Sequence, residues 1–295
     1  MTGDVTSRAV LDKAARENFP VAPVFLPRAW RQDLMAVYGF ARLVDDIGDG
    51  DLADGGRPDA VRLGLDPEAA GDRIAMLDAF EADLRRVFDG TPAHPLLVAL
   101  RPTVRRHRLT PEPFLGLIAA NRQDQQVARY ASYHDLLAYC ELSANPVGRL
   151  VLSLTGTSTP ERVRRSDAVC TALQIVEHLQ DVAEDLGRDR VYLPAEDMKR
   201  YSVDEADLAA PSAGPQVRAL IAFEAARARD LLDEGGPLVG SVRGRLRLLL
   251  AGFVGGGRAA LKAVEGAGYD VLAGPPKATK PGLLREVGST LRREG

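Results

Sequence analysis

The sequence has few of the residues from which disulfide frameworks, zinc sites and β-sheets are built. Its only cysteines, Cys140 and Cys170, do not form a CxxC pair, so neither a disulfide framework nor a structural zinc site is expected. The histidines show no HxxxH or HExxH spacing, which leaves no basis for a catalytic zinc site or a histidine-dependent triad. Aromatic residues make up only 5% of the chain and alternating β-branched runs are nearly absent, so the composition favours helices over a sheet.

Charge and hydropathy exclude further classes of protein. The chain has 38 basic and 41 acidic side chains, a balance that argues against broad nucleic-acid binding. No apolar run is long enough to cross a bilayer, and the N-terminal residues lack the apolar core of a secretory signal. No GxGxxG motif follows a predicted strand, so no nicotinamide cofactor is expected. The sequence therefore predicts a cytoplasmic protein with at most peripheral contact with the inner face of the membrane.

Helical periodicity dominates the sequence. Residues 28–47 have apolar side chains three or four positions apart, and residues 161–186 follow the helix-opening pair Thr159-Pro160. The same reasoning predicts further helices over 72–89, 111–127, 132–143, 145–156, 214–233, 239–251, 254–267 and 281–292. Segments rich in Gly, Asp and Pro predict loops over 48–69 and 187–202. With no internal repeat and no convincing linker, the sequence predicts one all-α domain over residues 1–295.

Two of the predicted helices end in clusters of carboxylates. Asp45 and Asp49 are four residues apart at the end of the first, and Glu177, Asp181 and Asp185 have the same spacing in the second. Side chains four residues apart share a helix face, at about 6 Å per step along the axis. Their mutual repulsion and the negative end of the helix dipole both disfavour this arrangement. A bound cation would offset that cost, whereas the alternative is a solvated acidic helix end with scattered salt bridges.

The first cluster permits two metal-binding interpretations. An EF-hand calcium loop that starts at Asp45 would need an oxygen ligand at its third position and Glu at its twelfth. The sequence has Ile47 and Gly56 at these positions, so this interpretation fails. Mg²⁺ takes only one or two protein carboxylates and completes its shell with water and phosphate oxygens. The two clusters together therefore favour a site for Mg²⁺, with Mn²⁺ as the alternative ion, that binds a diphosphate.

The residues around both clusters resemble those of the squalene/phytoene synthases, enzymes that join or rearrange isoprenoid diphosphates. The family's first motif, Y-x-[FC]-x-R-x-x-D-D-x-x-D, is matched by Tyr38, Phe40, Arg42, Asp45, Asp46 and Asp49. Its second motif is matched by Gln180, Asp181, Asp185 and the segment Arg190-Val191-Tyr192-Leu193-Pro194. A central segment matches at Asp124, Arg129, Tyr130, Tyr139, Cys140 and Gly148. The resemblance covers about residues 17–272 and leaves a basic C-terminal tail over 273–295.

By this resemblance the chain is a single-domain isoprenoid synthase helical bundle with a central apolar cavity. The stretches ENFPVA, ANRQDQ, YCELSANPVGRLVL and GYDVL are most similar to the bacterial hydroxysqualene synthases of hopanoid biosynthesis. The implied reaction is the Mg²⁺-dependent conversion of presqualene diphosphate and water to hydroxysqualene and diphosphate. The alternatives are condensation of two isoprenyl diphosphates to presqualene or prephytoene diphosphate, and a non-catalytic isoprenoid-binding or scaffold protein. Other enzymes of the squalene pathway are implied as partners.

The resemblance also implies roles for individual residues. The implied metal ligands are Asp45, Asp49, Asp181, Asp185 and Glu177, the last in place of the Asn usual in the family. The implied catalytic residues are Tyr38, Phe40, Arg42 and Tyr192. The implied substrate-binding residues are Phe19, Arg42, Asn121, Gln123, Asp124, Arg129, Tyr130, Gln180 and Arg190. His178 replaces an aromatic residue that is common in the family at this position.

Several of these residues also have simple structural explanations, which the sequence leaves open. Arg42 can form a salt bridge with Asp45 or Asp46 instead of binding diphosphate, and Phe40 can belong to the core. The arginines at 129 and 190 can be structural, and buried amides can cap a neighbouring backbone. Asp46 itself, beside the implied ligands, is either a supporting residue or solvated, as is Glu184.

Overall fold

The computed structural model describes residues 13–15 and 21–294 of the chain. Its α-helices up to residue 154 are Arg28–Asp49 (α1), Arg57–Arg62 (α2), Arg73–Asp89 (α3), Pro95–His107 (α4), Glu112–Gln123 (α5), Tyr133–Ser143 (α6) and Asn145–Leu154 (α7). Those that follow are Pro160–Gln180 (α8), Val182–Gly187 (α9), Ala195–Arg200 (α10), Glu205–Leu208 (α11), Pro215–Gly235 (α12), Gly244–Gly266 (α13) and Lys280–Arg293 (α14). Short 3₁₀ helices lie at Lys13–Ala15, Ala53–Gly56, Pro67–Gly71 and Gly236–Leu238. No β-strand occurs in the described residues, which confirms the all-α prediction.

Packing divides the described residues into two compact units. The first comprises residues 13–15, 21–126 and 149–158, and the second comprises 127–148 and 159–294. The single domain and the central apolar cavity stay predictions. Among the residues that the structure describes, no helix is both long and apolar enough to cross a membrane.

Three phenylalanines form the centre of the core in the first unit. Phe40 on α1 stacks on Phe80 of α3 with ring centroids 5.6 Å apart, and meets Phe114 of α5 edge to face at 5.1 Å. All three side chains are fully buried. Burial of one such ring contributes about 1.5–3 kcal/mol, so these contacts fix α1 against α3 and α5. The C-terminal end of α1, which contains the first acidic cluster, is thereby held in place.

The second unit is built on the long helices α8, α12 and α13. Helix α12 packs along α8, and α14 packs against α13. This last contact includes a buried guanidinium: Arg258 donates to Thr290 at 3.0 Å and to Asp233 at 2.8 Å. The predicted basic C-terminal tail therefore contains a helix that belongs to this unit.

The structure departs from the sequence-based helix predictions in two ways. The helix predicted over 161–186 is interrupted at Asp181, where α8 ends and α9 begins. The helices predicted over 239–251 and 254–267 form one helix, α13, that continues through the glycines at 255–257. Glycine has low helix propensity, but α13 is packed by neighbouring helices, and these tertiary contacts offset that preference.

Four α-helices (α2, α4, α10 and α11) and several short 3₁₀ helices were not predicted. Helix α4 contains Pro95 in its first turn and Pro102 in its interior, a composition that hides its periodicity. The predicted loop over 48–69 contains α2 and two 3₁₀ helices, and the predicted loop over 187–202 contains α10. These segments are too short for apolar periodicity to show in the sequence.

Candidate functional site

The first acidic segment (residues 45–51) closes helix α1. The helix is continuous to Asp49 and ends at Gly50, whose φ of 76° is in the left-handed region that glycine adopts at helix C-termini. The carboxylates therefore lie at the negative end of an uninterrupted 22-residue helix. This location disfavours negative charge, and the neighbouring residues show how the chain offsets it.

Asp46 is the buried member of this segment. Its side chain is only 2% exposed, and both carboxylate oxygens are 2.8 Å from Nζ of Lys13. Arg42, one turn earlier on α1, places Nη2 2.8 Å from the same carboxylate. Asp46 therefore pairs with two cations, and the salt bridge considered for Arg42 is formed. Binding of diphosphate by Arg42 stays a prediction.

Asp45, in contrast, is exposed to water. It accepts a hydrogen bond of 3.1 Å from Nδ2 of Asn121, an implied substrate-binding residue on α5. Desolvation by the surrounding protein raises the pKa of Asp45 to about 7, and repulsion from Asp49 and Asp46 adds to this. The Asn121 hydrogen bond and the charge of Arg42 act in the opposite direction. Water still reaches the Asp45 side chain, which limits the desolvation.

Two further residues support this segment: Arg73 at the start of α3 and Gln125 just beyond the end of α5. Gln125 donates to the carbonyl oxygen of Gly48 at 3.0 Å, and Arg73 donates to the same oxygen at 3.1 Å. A side chain at position 48 would be impossible in this arrangement, because a Cβ would lie 2.1 Å from Oδ1 of Asn121. Gln125 belongs to the quoted stretch ANRQDQ, whereas Arg73 and Lys13 are distant in sequence and gave no signal.

The structure also locates the other implied residues of the first unit. Phe40 lies in the phenylalanine core without accessible surface, which matches its structural explanation; its catalytic role stays a prediction. Tyr38, Gln123 and Asp124 are partly exposed, and each has interactions within the protein. Phe19 lies outside the described residues, so its implied role stays a prediction.

The second acidic segment (residues 177–185) bends at its centre. Asp181 has φ −106° and ψ 14°, so it ends α8 and precedes α9. Backbone hydrogen bonds from Asp181 to Glu177 and from Asp185 to Asp181 keep the four-residue spacing. The bend places Glu184 and Asp185 in the first turn of α9, where the helix dipole favours negative charge. Only Glu177 remains at the unfavourable end of a helix, and its side chain is exposed.

Asp181 is partly buried, and desolvation raises its pKa, with further contributions from Asp185 and Glu184. Lys277, in the segment before α14, acts in the opposite direction. The neighbouring Gln180 donates a hydrogen bond to the carbonyl oxygen of Pro276 in the same segment. Gln180, implied to bind substrate, thus holds the C-terminal segment beside the second acidic segment.

An aromatic cluster adjoins the second acidic segment. Its members are Tyr130, Tyr139, Tyr192 and His178. The two motif tyrosines, Tyr130 and Tyr192, stack with centroids 5.6 Å apart. A parallel bridge between Arg129 and Val191 brings these segments side by side, with a 2.9 Å bond from the Val191 amide to Ala128.

The arginines implied to bind substrate in the second unit differ in their surroundings. Arg129 donates to both carboxylate oxygens of Glu205, at 2.7 and 2.9 Å, and to Asp189 at 2.7 Å. These charge-assisted bonds raise the pKa of Arg129 and agree with a structural role. Arg190 lines a small cavity with Asp185 and Tyr192, and it also has interactions within the protein.

The donor atoms near both acidic segments suit a hard divalent cation. Carboxylate oxygens are the ligands that Mg²⁺ and Mn²⁺ prefer. Desolvation, with repulsion from neighbouring carboxylates, raises the pKa of Asp45 and of Asp181, and a bound cation would stabilise their ionised forms. In the described part of the chain, no three acidic, His or Cys side chains are gathered as a complete metal site. Such a cluster is not required for Mg²⁺ bound with phosphate, which uses one or two carboxylates.

Comparison with known proteins agrees with this arrangement of motifs. Residues 12–282 match the squalene/phytoene synthase family, and the chain belongs to that family. The crystal structure of squalene synthase HpnC from Alicyclobacillus acidocaldarius is similar, with a TM-score of 0.76 and 41% identity over 90% of this chain and 97% of that one. A dehydrosqualene synthase structure has a TM-score of 0.82 at 24% identity, covering 98% and 96% of the two chains. The fold is therefore that of the isoprenoid synthases.

Two kinds of relative are similar to this chain. The hydroxysqualene synthase of Rhodopseudomonas palustris is 32% identical over 228 residues, which cover 77% of this chain and 72% of that protein. The 15-cis-phytoene synthase of Synechococcus elongatus is 31% identical over 230 residues, which cover 74% and 70%. Overall identity thus gives the family and does not separate its two reactions.

Proposed function

We propose that this protein removes diphosphate from presqualene diphosphate and adds water to the resulting cation, giving hydroxysqualene. The similarity to hydroxysqualene synthases supports this reaction, as do the stretches ANRQDQ and YCELSANPVGRLVL. The absence of a nicotinamide-binding motif from the sequence agrees with capture by water in place of reduction.

The observation that contributes most is the state of Asp45. This carboxylate is exposed to water and accepts a 3.1 Å hydrogen bond from Nδ2 of Asn121. Asp49 lies one turn away on the same helix. Such a pair favours a divalent cation, and Asp181 and Asp185 offer a comparable pair in the second unit. When bound, Mg²⁺ supplies electrostatic stabilisation of the departing diphosphate.

The chain's own residues supply the remaining parts of the reaction. Arg42 and Lys13 add positive charge beside the first acidic segment, where phosphate oxygens accept charge-assisted hydrogen bonds. Tyr130 and Tyr192 are buried and stack on each other, and His178 stacks on Tyr192, so these rings pack beside the second acidic segment; the catalytic role of Tyr192 stays a prediction. Glu177 replaces a neutral residue of the family with a charged one, and its exposure allows it to act as an additional ligand.

A second candidate is the condensation of two isoprenyl diphosphates. The similarity to the Synechococcus elongatus 15-cis-phytoene synthase favours it, because the identity is nearly the same as for the hydroxysqualene synthases. Both reactions begin with loss of diphosphate, so the acidic segments would serve either. A non-catalytic isoprenoid-binding protein is the remaining alternative.

Product analysis separates these candidates. Purified protein is incubated with Mg²⁺ and either presqualene diphosphate or farnesyl diphosphate alone, and the products are identified by mass spectrometry. Hydroxysqualene from presqualene diphosphate, with no product from farnesyl diphosphate, is the expected result. Presqualene diphosphate formed from farnesyl diphosphate would favour condensation. No turnover of either substrate, nor of geranylgeranyl diphosphate, would favour the non-catalytic alternative.

A further inference from the structure

His178 occupies a defined position between the aromatic cluster and the second acidic segment. It lies in the last turn of α8, and its ring stacks on Tyr192 with centroids 3.7 Å apart and an interplanar angle of 12°. The side chain is 11% exposed. A ring packed in this way has little rotational freedom, so the directions of its two nitrogens are fixed by the fold.

The hydrogen bond to Gln174 determines which nitrogen of His178 bears the proton. Nε2 of Gln174, one turn earlier on α8, is 3.1 Å from Nε2 of His178. With the amide oriented in this way, the Gln174 NH₂ group donates, so Nε2 of His178 accepts. A neutral imidazole then has its proton on Nδ1. Nδ1 faces Oδ2 of Asp185 at 3.6 Å, slightly beyond hydrogen-bond distance.

The space around this contact is small. A cavity of about 10 Å³ is lined by His178, Asp185, Arg190 and Tyr192, together with apolar side chains. A single water needs about 10–15 Å³, so protein groups, and not bulk solvent, surround Asp185 on this side. A modest shift of the Asp185 side chain would bring Oδ2 within reach of the Nδ1–H group.

We propose that His178 is a positioning residue for Asp185. Its Nδ1–H group attracts one oxygen of the carboxylate across 3.6 Å, and the stack on Tyr192 and the bond from Gln174 hold the imidazole in place. This rests on the proposed function, in which Asp185 binds the divalent cation. Groups that orient metal ligands typically contribute 10–100-fold to metal affinity. The aromatic residue common in the family at this position would keep the stack but would lack the N–H group.

Two variants separate the hydrogen-bonding role of His178 from its packing role. His178→Phe keeps a ring against Tyr192 and removes the N–H group. His178→Asn removes the ring and keeps an N–H donor near the position of Nδ1. Mn²⁺ binding in the presence of inorganic diphosphate is measured by electron paramagnetic resonance, with Asp185→Asn as the reference for loss of the ligand. Thermal unfolding of each variant reports packing.

The proposal predicts opposite effects for the two variants. H178F should unfold near the wild-type temperature and bind Mn²⁺ about 10-fold more weakly or worse. H178N should unfold at a lower temperature and retain more of the Mn²⁺ affinity than H178F. Wild-type affinity in H178F, or affinity losses that follow the losses in unfolding temperature, would overturn the proposal alone. If the wild-type protein bound no Mn²⁺ with diphosphate, the proposed function would be overturned as well.

Discussion

The two acidic segments have the same four-residue spacing but differ in what offsets their charge. In the first, α1 continues to its last aspartate, and the negative helix end is balanced by Lys13, Arg42 and Arg73. In the second, the helix bends at Asp181, so Glu184 and Asp185 lie at the favourable start of α9. Its close neighbours include an imidazole and amides such as Gln180.

This difference shows that a motif's spacing does not determine its electrostatic environment. The first segment is held by Lys13 and Arg73, which are distant in sequence, and by Arg42, one turn earlier on α1. The second is held by a change of backbone direction and by aromatic stacking, with Arg188 3.1 Å from Glu184 and Lys277 near Asp181. We therefore expect substitutions near the first segment to act through charge and packing, and those near the second to act more locally.

The largest expected effect is a loss of catalytic rate when a proposed metal ligand of the first segment is replaced. Under the proposed function, Asp45→Asn should lower the rate of product formation from presqualene diphosphate by about 100-fold or more, because a carboxylate proposed to stabilise the metal–diphosphate group is lost. Asp51→Asn is the matched control, since Asp51 is exposed and lies beyond the end of α1. Steady-state kinetics at saturating Mg²⁺ measure both. Equal loss in the two variants, or none in D45N, would contradict the assignment.

A buried carboxylate in the second unit should make the free energy of unfolding depend on pH. Glu224 of α12 is 1% exposed, and burial raises its pKa to about 7, although Arg227 partly counteracts this. The folded protein then binds a proton that the unfolded chain releases above its ordinary pKa near 4.5. This contribution to stability is complete below about pH 4.5 and is lost as the pH rises through about 7.

Glu224→Gln should remove that dependence. Between pH 4.5 and 7 the free energy of unfolding of the wild-type protein should fall relative to the variant by as much as about 3 kcal/mol. Urea unfolding at several pH values measures this. The exposed Glu234→Gln, near the end of the same helix, is the control and should follow the wild-type curve. Parallel wild-type and E224Q curves would show that Glu224 is ionised throughout.

A smaller effect, on stability, is expected from a substitution at Gly48, where α1 and α5 approach closely. Gly48→Ala should destabilise the first unit by about 1–2 kcal/mol and displace Asn121 from Asp45, because the new Cβ would overlap the Asn121 amide. Gly71→Ala has no atom within 4 Å of the new Cβ and serves as the control. Urea unfolding should shift for G48A only. An unchanged midpoint in G48A would mean that Asn121 can move without cost.

The smallest expected effect is a local change in hydrogen exchange beside the second segment. Gln180→Ala removes the hydrogen bond to Pro276, and a bond of this kind contributes about 1 kcal/mol. The effect should be local: hydrogen exchange of the amides in residues 273–279 should become faster, while α1 is unaffected. Gln216→Ala, at an exposed position of α12, should leave that exchange unchanged. Exchange at wild-type rates in Q180A would show that other contacts hold this segment.

The sequence was most informative about features that depend on a single helix. The periodicity of residues 28–47 predicted α1 within two residues of its observed end, and the four-residue spacing of Asp45 and Asp49 follows directly. The sequence was least informative about features that depend on contacts between residues far apart in the chain. The bend at Asp181, the pairing of Arg129 with Glu205 and the core location of Phe40 each require contacts with residues far along the chain.

The sequence by itself determined that the chain is helical and that carboxylates repeat at one-turn spacing, because both are properties of consecutive residues. Only the tertiary structure decided the state of each carboxylate. Buried Asp46 pairs with Lys13 and Arg42, whereas Asp45 is exposed to water and accepts a hydrogen bond from Asn121. The physical reason is that burial and partner charge depend on which segments pack together, and local spacing does not specify that.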